Sequence, residues 1–274
     1  MKKKYLGVPY IIWMLIFILS PLILIVVYAL METTDMGKII FTWEYLMDAF
    51  SSVNLSVLLR SVWNAFLTTV ICLLLAYPAA MILSRLKTSK AGLISLLFVL
   101  PMWMNFLMRT YAWRALLDMN GPINQLITWL GFQPQQLLYT EGAVVFGLVY
   151  NFLPFMLLPI YSVFVKLDPS YEQAAQDLGA NKLQVLTKVT IPMTRSGIIS
   201  GITMVFMPTV STFVISKLLG GGNYMMYGEL IEMQFMTLNN WNTGSALSLI
   251  MLVLLAISVI VMRKYDDKDD EVRR

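Results

Sequence analysis

Histidine is absent from the 274 residues, and cysteine occurs once, at Cys72. Zinc sites draw on His or on several Cys, so the expectation is no metal site. One cysteine cannot form a disulfide framework within the chain. Ser-His-Asp triads and histidine proton relays are excluded with it. Charge is also scarce: Asp, Glu, Lys and Arg make up 13% of the residues, against about 25% in a soluble domain. That shortfall argues against an ordinary cytosolic enzyme, a disordered chain and a nucleic-acid-binding domain. The sequence has no Gly-x-x-x-x-Gly-Lys-Ser/Thr phosphate loop, so the chain does not bind ATP by that route. Ten-residue segments of alternating polarity, the mark of an outer-membrane barrel, are missing as well.

Apolar residues dominate instead, at 58% of the chain with a mean hydropathy of +0.70. A membrane-spanning helix needs about 20 mostly apolar residues, because each adds ~1.5 Å and the hydrocarbon core is ~30 Å thick. Six stretches qualify: Val8–Leu30, Ser61–Leu83, Gly92–Tyr111, Ala143–Val165, Gly197–Ser216 and Ser245–Met262. The fold class is therefore an all-α membrane bundle of six transmembrane helices. The basic start Met1-Lys2-Lys3-Lys4 resembles a signal peptide, but the apolar run after it exceeds the usual 7–15 residues of such a segment, so it reads as a retained first helix.

Lys and Arg set the orientation. With the N-terminus inside, 15 of the 20 basic residues fall on the cytoplasmic side, while the 16 acids divide evenly. The positive-inside rule then places both termini in the cytoplasm, and it accounts for the net charge of +4 without a nucleic-acid partner. Residues 1–262 form the transmembrane domain, with a cytoplasmic loop at 166–196. Residues 263–274, with five basic and five acidic groups, form a solvated tail. The fourth span contains Asn151, Pro154 and Pro159, and the fifth contains Gly201 and Pro208. Proline removes a backbone donor and kinks a helix, which fits a bundle that lines a path and moves. Such residues are also common in membrane helices generally.

The loop between those two spans is patterned as structure. Asp168 suits an N-cap, with Pro169 at the first helical position. Tyr171, Ala174, Ala175 and Leu178 share one helical face. Gly179 is placed to end the helix, Asn181 and Gln184 form a capping box for a second short helix, and Pro192 ends that one. An element of this kind either rests on lipid or docks on a partner. Its small residues favour docking, because lipid-binding faces usually carry Trp, Phe and Leu.

At this point the residues match a known family. Gln173-Ala174-Ala175-x-x-x-Gly179, followed by Ile191-Pro192, resembles the EAA loop of ABC-importer permeases. The resemblance implies a MetI-like bundle of six helices in a bacterial cytoplasmic membrane. In that family the loop is a coupling helix that sits in a cleft of the ATP-hydrolysing subunit. Glu172, Gln173, Ala174, Ala175, Asp177 and Gly179 are then the coupling residues. The family's glutamate position is Gln173 here, with Glu172 one residue earlier. A one-residue shift turns a carboxylate by about 100° around the helix.

Further motifs are similar to permeases of polyamine importers of the spermidine/putrescine type. They are Pro101-Met-Trp103-x-Asn105-Phe-Leu-x-Arg109-Thr110-Tyr111-Ala112-Trp113, Leu153-Pro154-Phe155-Met-Leu-Leu158-Pro159, Asp177-Leu-Gly-Ala180, Leu219-Gly220-Gly221 and Gln234-Phe235. This resemblance implies partners: a dimer of ATPase subunits carrying ATP and Mg, a second permease subunit, and an extracytoplasmic substrate-binding protein that delivers the polyamine. The chain itself would hold no cofactor and would not be an enzyme.

A polyamine calls for carboxylates, carbonyl dipoles and aromatic faces. Candidate path residues are Trp103, Asn105, Tyr111 and Trp113 by the third span, Tyr150 and Asn151 in the fourth, and Glu229 and Glu232 before the sixth. The last two lie one helical turn apart if their segment is helical. Each has a plainer reading: interface anchors for the aromatics, and a solvated face or a binding-protein contact for the two glutamates. Arg109 and Arg114 would repel a polycation, and are expected to reach headgroups or to pair with Asp118 or Glu141. Pro154, Pro159 and Pro208 are the expected kinks. An ion-coupled carrier would place charge at mid-span, which these spans lack. An intramembrane enzyme would lack groups for its chemistry. The same importer with another cargo, such as another cation, iron or an organic anion, stays open.

Overall fold

The computed structural model describes residues 8–33, 38–86, 100 and 102–272, and among them the chain is almost wholly helical. Among the described residues, four helices are long and apolar enough to cross a membrane: α1 (Pro9–Leu30), α3 (Ser52–Ser84), α6 (Glu141–Phe164) and the Trp241–Met262 part of α11 (Trp241–Val272). A fifth crossing would come from α8 (Lys182–Met193) and α9 (Arg195–Ser211), which meet at a 67° bend. Shorter elements connect them. A two-stranded antiparallel hairpin, β1 (Met31–Thr33) with β2 (Ile39–Phe41), leads to α2 (Glu44–Ala49). Further along lie α4 (Phe106–Leu117), α5 (Pro122–Trp129), α7 (Ser170–Asp177) and α10 (Tyr227–Glu232).

Several expectations are corrected here. Nine residues of the third apolar stretch, 92–99 and 101, lie outside the described residues, but its end does not run on as one helix. The chain breaks at Met104 and Asn105, and the Asn105 side chain then caps α4 through Leu107 N (2.9 Å) and Met108 N (3.3 Å). An Asn that accepts from these free amides stabilises a new helix start more than it does a helix interior. The fifth stretch ends as an α-helix at Ser211, because Thr212 is extended, and a π-helical turn at Ser216–Gly220 follows. Pro192 does not end α8. A π turn at Leu186–Thr190 widens the helix ahead of it, Pro192 falls in the first turn of the next α segment, where its missing N–H is harmless, and the break comes at Thr194.

Two cores organise the bundle. In the first, α3, α6 and α9 pack on one another around Cys72, Ala76, Leu148, Met156, Ile160 and Val205. The buried face of α3 is a stripe of small residues, with Ser61, Ala65, Thr69, Cys72, Ala76 and Ala80 buried at spacings of three or four. Small side chains let helix backbones approach closely. The Cys72 sulfur accordingly sits 3.8 Å from the Val149 carbonyl on α6. On α9, Gly201 does the same against α6. A Cβ there would lie 2.7 Å from the Met156 sulfur and 3.1 Å from its carbonyl oxygen, between Pro154 and Pro159 of α6. In the second core, Ala29, Ala49, Tyr227, Leu230, Ala246 and Leu247 join α1, α2, α10 and α11.

Candidate functional site

The interhelical loop has the expected form, a helix, a sharp turn and a second helix. Pro169, expected as the first helical residue, takes the N-cap position of α7, and Asp168 stands just ahead of it, its Oδ1 accepting from Ser170 N at 2.9 Å, a bond that holds the Asp168 carboxyl below its usual range. Gly179 follows α7 with φ +86°, and a Cβ there would meet no atom within 4 Å. The capping box is complete: Asn181 Oδ1 accepts from Gln184 N and Gln184 Oε1 accepts from Asn181 N, both at 2.9 Å. Most of the apolar face of α7 is left uncovered by the described residues. Leu178 is 90% exposed, and Tyr171, Gln173, Ala174, Asp177 and Leu183 are exposed as well. Glu172 and Ala175 turn inward. Glu172 is held by Arg85 at 2.9 Å and by the Thr190 hydroxyl at 3.0 Å.

At the other end of α3 a seam of buried polar atoms lies inside the bundle. Ser61, Asn64 and Thr68 occur at i, i+3 and i+7, so they share one face of α3, and all three are fully buried. The Ser61 hydroxyl accepts from Tyr227 N at 2.7 Å, which fixes the start of α10 against α3. Gly228 lets α10 approach the end of α9 as well, since a Cβ there would collide with the Ser211 carbonyl. Asn64 Oδ1 and Nδ2, Thr68 Oγ1, the Tyr227 hydroxyl and Glu229 Oε2 are all buried without a hydrogen-bond partner among the described residues. An unsatisfied buried polar group costs about 1–3 kcal/mol. Five such atoms on two adjoining elements are therefore a feature to be explained by water or a ligand. All but one can accept a hydrogen bond, which is the chemistry an ammonium requires.

The sequence pairs Glu229 with Glu232, and α10 does place them one turn apart, but their environments differ. Glu232 is ion-paired with Lys217 at 2.8 and 2.9 Å. Glu229 is buried, which pushes its carboxyl up in pKa, partly offset by the Ser216 hydroxyl, the backbone at Met226 and the Lys217 charge. Near the third stretch, Trp113 packs edge-on against Phe146 (4.6 Å) and Tyr150 (5.1 Å). The Arg109 guanidinium sits over Tyr150 (5.7 Å) and Phe106 (6.0 Å). Arg114 donates to the Tyr139 hydroxyl at 3.1 Å, rather than to Asp118 or Glu141, one of its two expected roles. Asn151 is buried and donates to the Gly147 carbonyl at 2.7 Å, leaving its oxygen unpartnered among the described residues. Trp103 is 77% exposed, and Tyr111 is exposed beside Arg114, Asp118 and Asn120. Asn105 is engaged as the cap of α4. Sequence reasoning missed Asn64, Thr68 and Tyr227, although polar residues at i, i+3 and i+7 in an apolar span were a readable signal.

Comparison with known proteins decides the family. The model for binding-protein-dependent transport system inner membrane components matches residues 5–268. The chain belongs to that family. It is an ABC-importer inner-membrane permease with the MetI-like fold. It is 34% identical over 253 residues to the spermidine/putrescine transport system permease protein PotB of Escherichia coli, covering 91% of this chain and 92% of that one. The PotB of Haemophilus influenzae is 35% identical over 255 residues, covering 91% and 88%. Among solved structures, a bacterial ABC transporter involved in import of the acidic polysaccharide alginate matches with a TM-score of 0.77 at 16% identity, over 97% of this chain and 94% of that one. The MetNI methionine transporter matches with a TM-score of 0.53 at 14% identity, over 80% and 99%. Those two likenesses concern the fold. The permease is a transport subunit, with no phosphate loop of its own for ATP.

Proposed function

We propose that this permease translocates polyamines across the bacterial cytoplasmic membrane by alternating access. Six spans cross the membrane with both termini in the cytoplasm, which puts the α7–α8 element on the cytoplasmic face and the buried seam in the outer half. The partners are a dimer of ATPase subunits, a second permease subunit and an extracytoplasmic substrate-binding protein. The observation that carries the cargo class is the near-full-length relation to the two PotB proteins, whose names specify spermidine and putrescine.

The geometry supports this reading at two places. At the cytoplasmic face, Leu178, Tyr171 and Leu183 offer an apolar surface that the described residues leave uncovered. A partner's cleft closing on this surface would move α8, and through the 67° bend, α9. The spans would then rock about Pro154, Pro159 and Pro208. In the seam, Glu229 Oε2 supplies the fixed charge, and Asn64 Oδ1, Thr68 Oγ1 and the Tyr227 hydroxyl supply neutral acceptors. A charge-assisted hydrogen bond to a desolvated carboxylate is about twice as strong as a neutral one. The aromatic face of Trp113 suits the methylenes and the ammonium groups of the same cargo.

A second reading, the same importer with an organic anion as cargo, is favoured by one observation: Arg109 is buried beside Tyr150. Substitution separates the two. Glu229→Gln should lower uptake of spermidine at least about tenfold, corresponding to about 1.4 kcal/mol. Glu232→Gln, which removes only an ion pair to Lys217, should have a smaller effect. Equal effects would take the seam out of the polyamine path, and uptake of an anion abolished by Arg109→Gln would favour the second reading.

A further inference from the structure

We infer that Arg85, Glu172, Thr190, Thr194 and Tyr77 form a strut that fixes the coupling element to α3, with the Glu172 carboxylate serving this internal contact instead of the partner ATPase. The inference rests on the reading of α7 and α8 as the coupling element. Its residues are joined bond by bond. Arg85, the residue that follows α3, donates to Glu172 Oε2 at 2.9 Å. The Thr190 hydroxyl donates to Glu172 Oε1 at 3.0 Å, so both carboxylate oxygens are occupied. The Thr194 hydroxyl donates to the Thr190 carbonyl at 2.8 Å. Its proton is thus engaged, which makes the Tyr77 hydroxyl the donor in the 3.0 Å bond between Tyr77 and Thr194. Thr190 and Thr194 are buried, and the Tyr77 ring stacks edge-on against Phe164, the last residue of α6, at 5.3 Å.

The geometry explains why a strut forms here. Tyr77 and Arg85 are eight residues apart on α3, a separation of about 12 Å along the axis. Two attachments on one helix fix the direction of the coupling element as well as its position. The π turn at Leu186–Thr190 sets the register. Its extra residue carries Thr190 round by about 100° compared with an uninterrupted α-helix, and this brings the hydroxyl to Glu172. The placement of the carboxylate one residue before the family's usual position has the same consequence. Glu172 lies on the inward side of α7 and leaves Gln173 and Leu178 facing outward.

A force applied to α7 therefore reaches α3 directly, without first passing through α9. Asn64 and Thr68 lie on the same helix, about 32 and 26 Å from Arg85 along its axis. The strut is thus a mechanical link between the docking surface and the polar seam. Arg85 and Glu172 are positioning residues in this scheme. The exposed guanidinium limits what the ion pair contributes to stability, so its role lies in direction of movement.

The test uses the whole importer in liposomes, with Arg85→Glu, Glu172→Arg and the double charge swap. Two quantities are read: spermidine transported per ATP hydrolysed, and hydrogen exchange of the α7–α8 backbone. Each single variant should lower the transport ratio by about threefold or more, a size typical of coupling through packed networks, while ATP hydrolysis continues. Each should also speed exchange in α7 and α8, and the swap should restore both. Singles with unchanged exchange, or a swap no better than the singles, would overturn the strut, since each charge would then have a separate partner. Glu172→Gln, which keeps the Thr190 contact, gives an intermediate ratio and covers the case in which a charge reversal prevents assembly. Leu178→Asp tests the underlying reading separately. If the ATPase still associates with that variant, the docking assignment fails, while the exchange measurement continues to judge the strut.

Discussion

Gly179 offers the sharpest perturbation, because the structure separates backbone strain from steric clash. Its φ is +86°, and a Cβ placed there meets no atom within 4 Å. A Cβ at this position therefore collides with nothing among the described residues, and the cost comes from the left-handed backbone. That cost is about 1–2 kcal/mol for an ordinary L-residue and larger for a β-branched one, whereas Asn tolerates the conformation. The expected order of damage is Asn, then Ala, then Val. Loss of about 2 kcal/mol lowers the ratio of intact to disrupted turn about thirtyfold, which weakens the alignment of α7 with α8. In liposomes containing the complete importer, Gly179→Val should reduce spermidine transported per ATP hydrolysed at least about tenfold. Gly179→Ala should show a smaller reduction, and Gly179→Asn should stay within about threefold of the parent. If Asn proves as damaging as Val, the position matters as a contact surface for the ATPase and the backbone argument is wrong. If Val transports normally, the turn is not needed for coupling at all.

Other consequences follow from packing and charge. Gly201→Leu should destabilise the protein by about 1–3 kcal/mol or more through overpacking against Met156, visible as a lower thermal midpoint in detergent; an unchanged midpoint would mean that α6 and α9 are not in close contact. Asn124 is buried and makes three hydrogen bonds, to the carbonyls of Asp118 (3.1 Å) and Gln135 (3.0 Å) and from Gln135 N (2.8 Å). Asn124→Ala should cost about 2–3 kcal/mol and expose the 130–137 segment to proteases, while ATP hydrolysis stays intact. The pKa of Glu229, raised by burial, predicts a pH dependence: as pH falls through that raised pKa, the group is neutralised and uptake of an ammonium drops. Glu229→Gln should flatten that acid limb, with Lys217 and Glu232 as the other charges that influence it; an unaltered limb would place the titrating group elsewhere.

The legible parts of this fold are those with a local cause. The hydropathy of Ser61–Leu83 and Ala143–Val165 marks helices because each burial pattern is carried by the helix's own residues. Gly179 and the Asn181–Gln184 box were readable because their partners lie within four positions in sequence. What was not legible depends on distant contacts. Nothing near Glu229 and Glu232 distinguishes them in sequence; Lys217, which neutralises Glu232, arrives from another element fifteen residues away. The helix break at Asn105 and the π turn at Leu186–Thr190 add or remove a turn register without changing hydropathy. Glu172 was readable as displaced from the family position, but its partner Arg85 lies 87 residues upstream. The polar face of α3 was overlooked for a simpler reason: Ser, Asn and Thr scarcely disturb an apolar run, and only packing against α10 reveals that they are enclosed.

The most direct measurement is ATP-dependent uptake of labelled spermidine into liposomes containing this permease, its partner permease, the ATPase and the binding protein, with excess putrescine as competitor. The account predicts uptake that requires ATP, requires the binding protein and is suppressed by putrescine. ATP hydrolysis that the binding protein stimulates while no spermidine enters would contradict the assignment of polyamine as cargo.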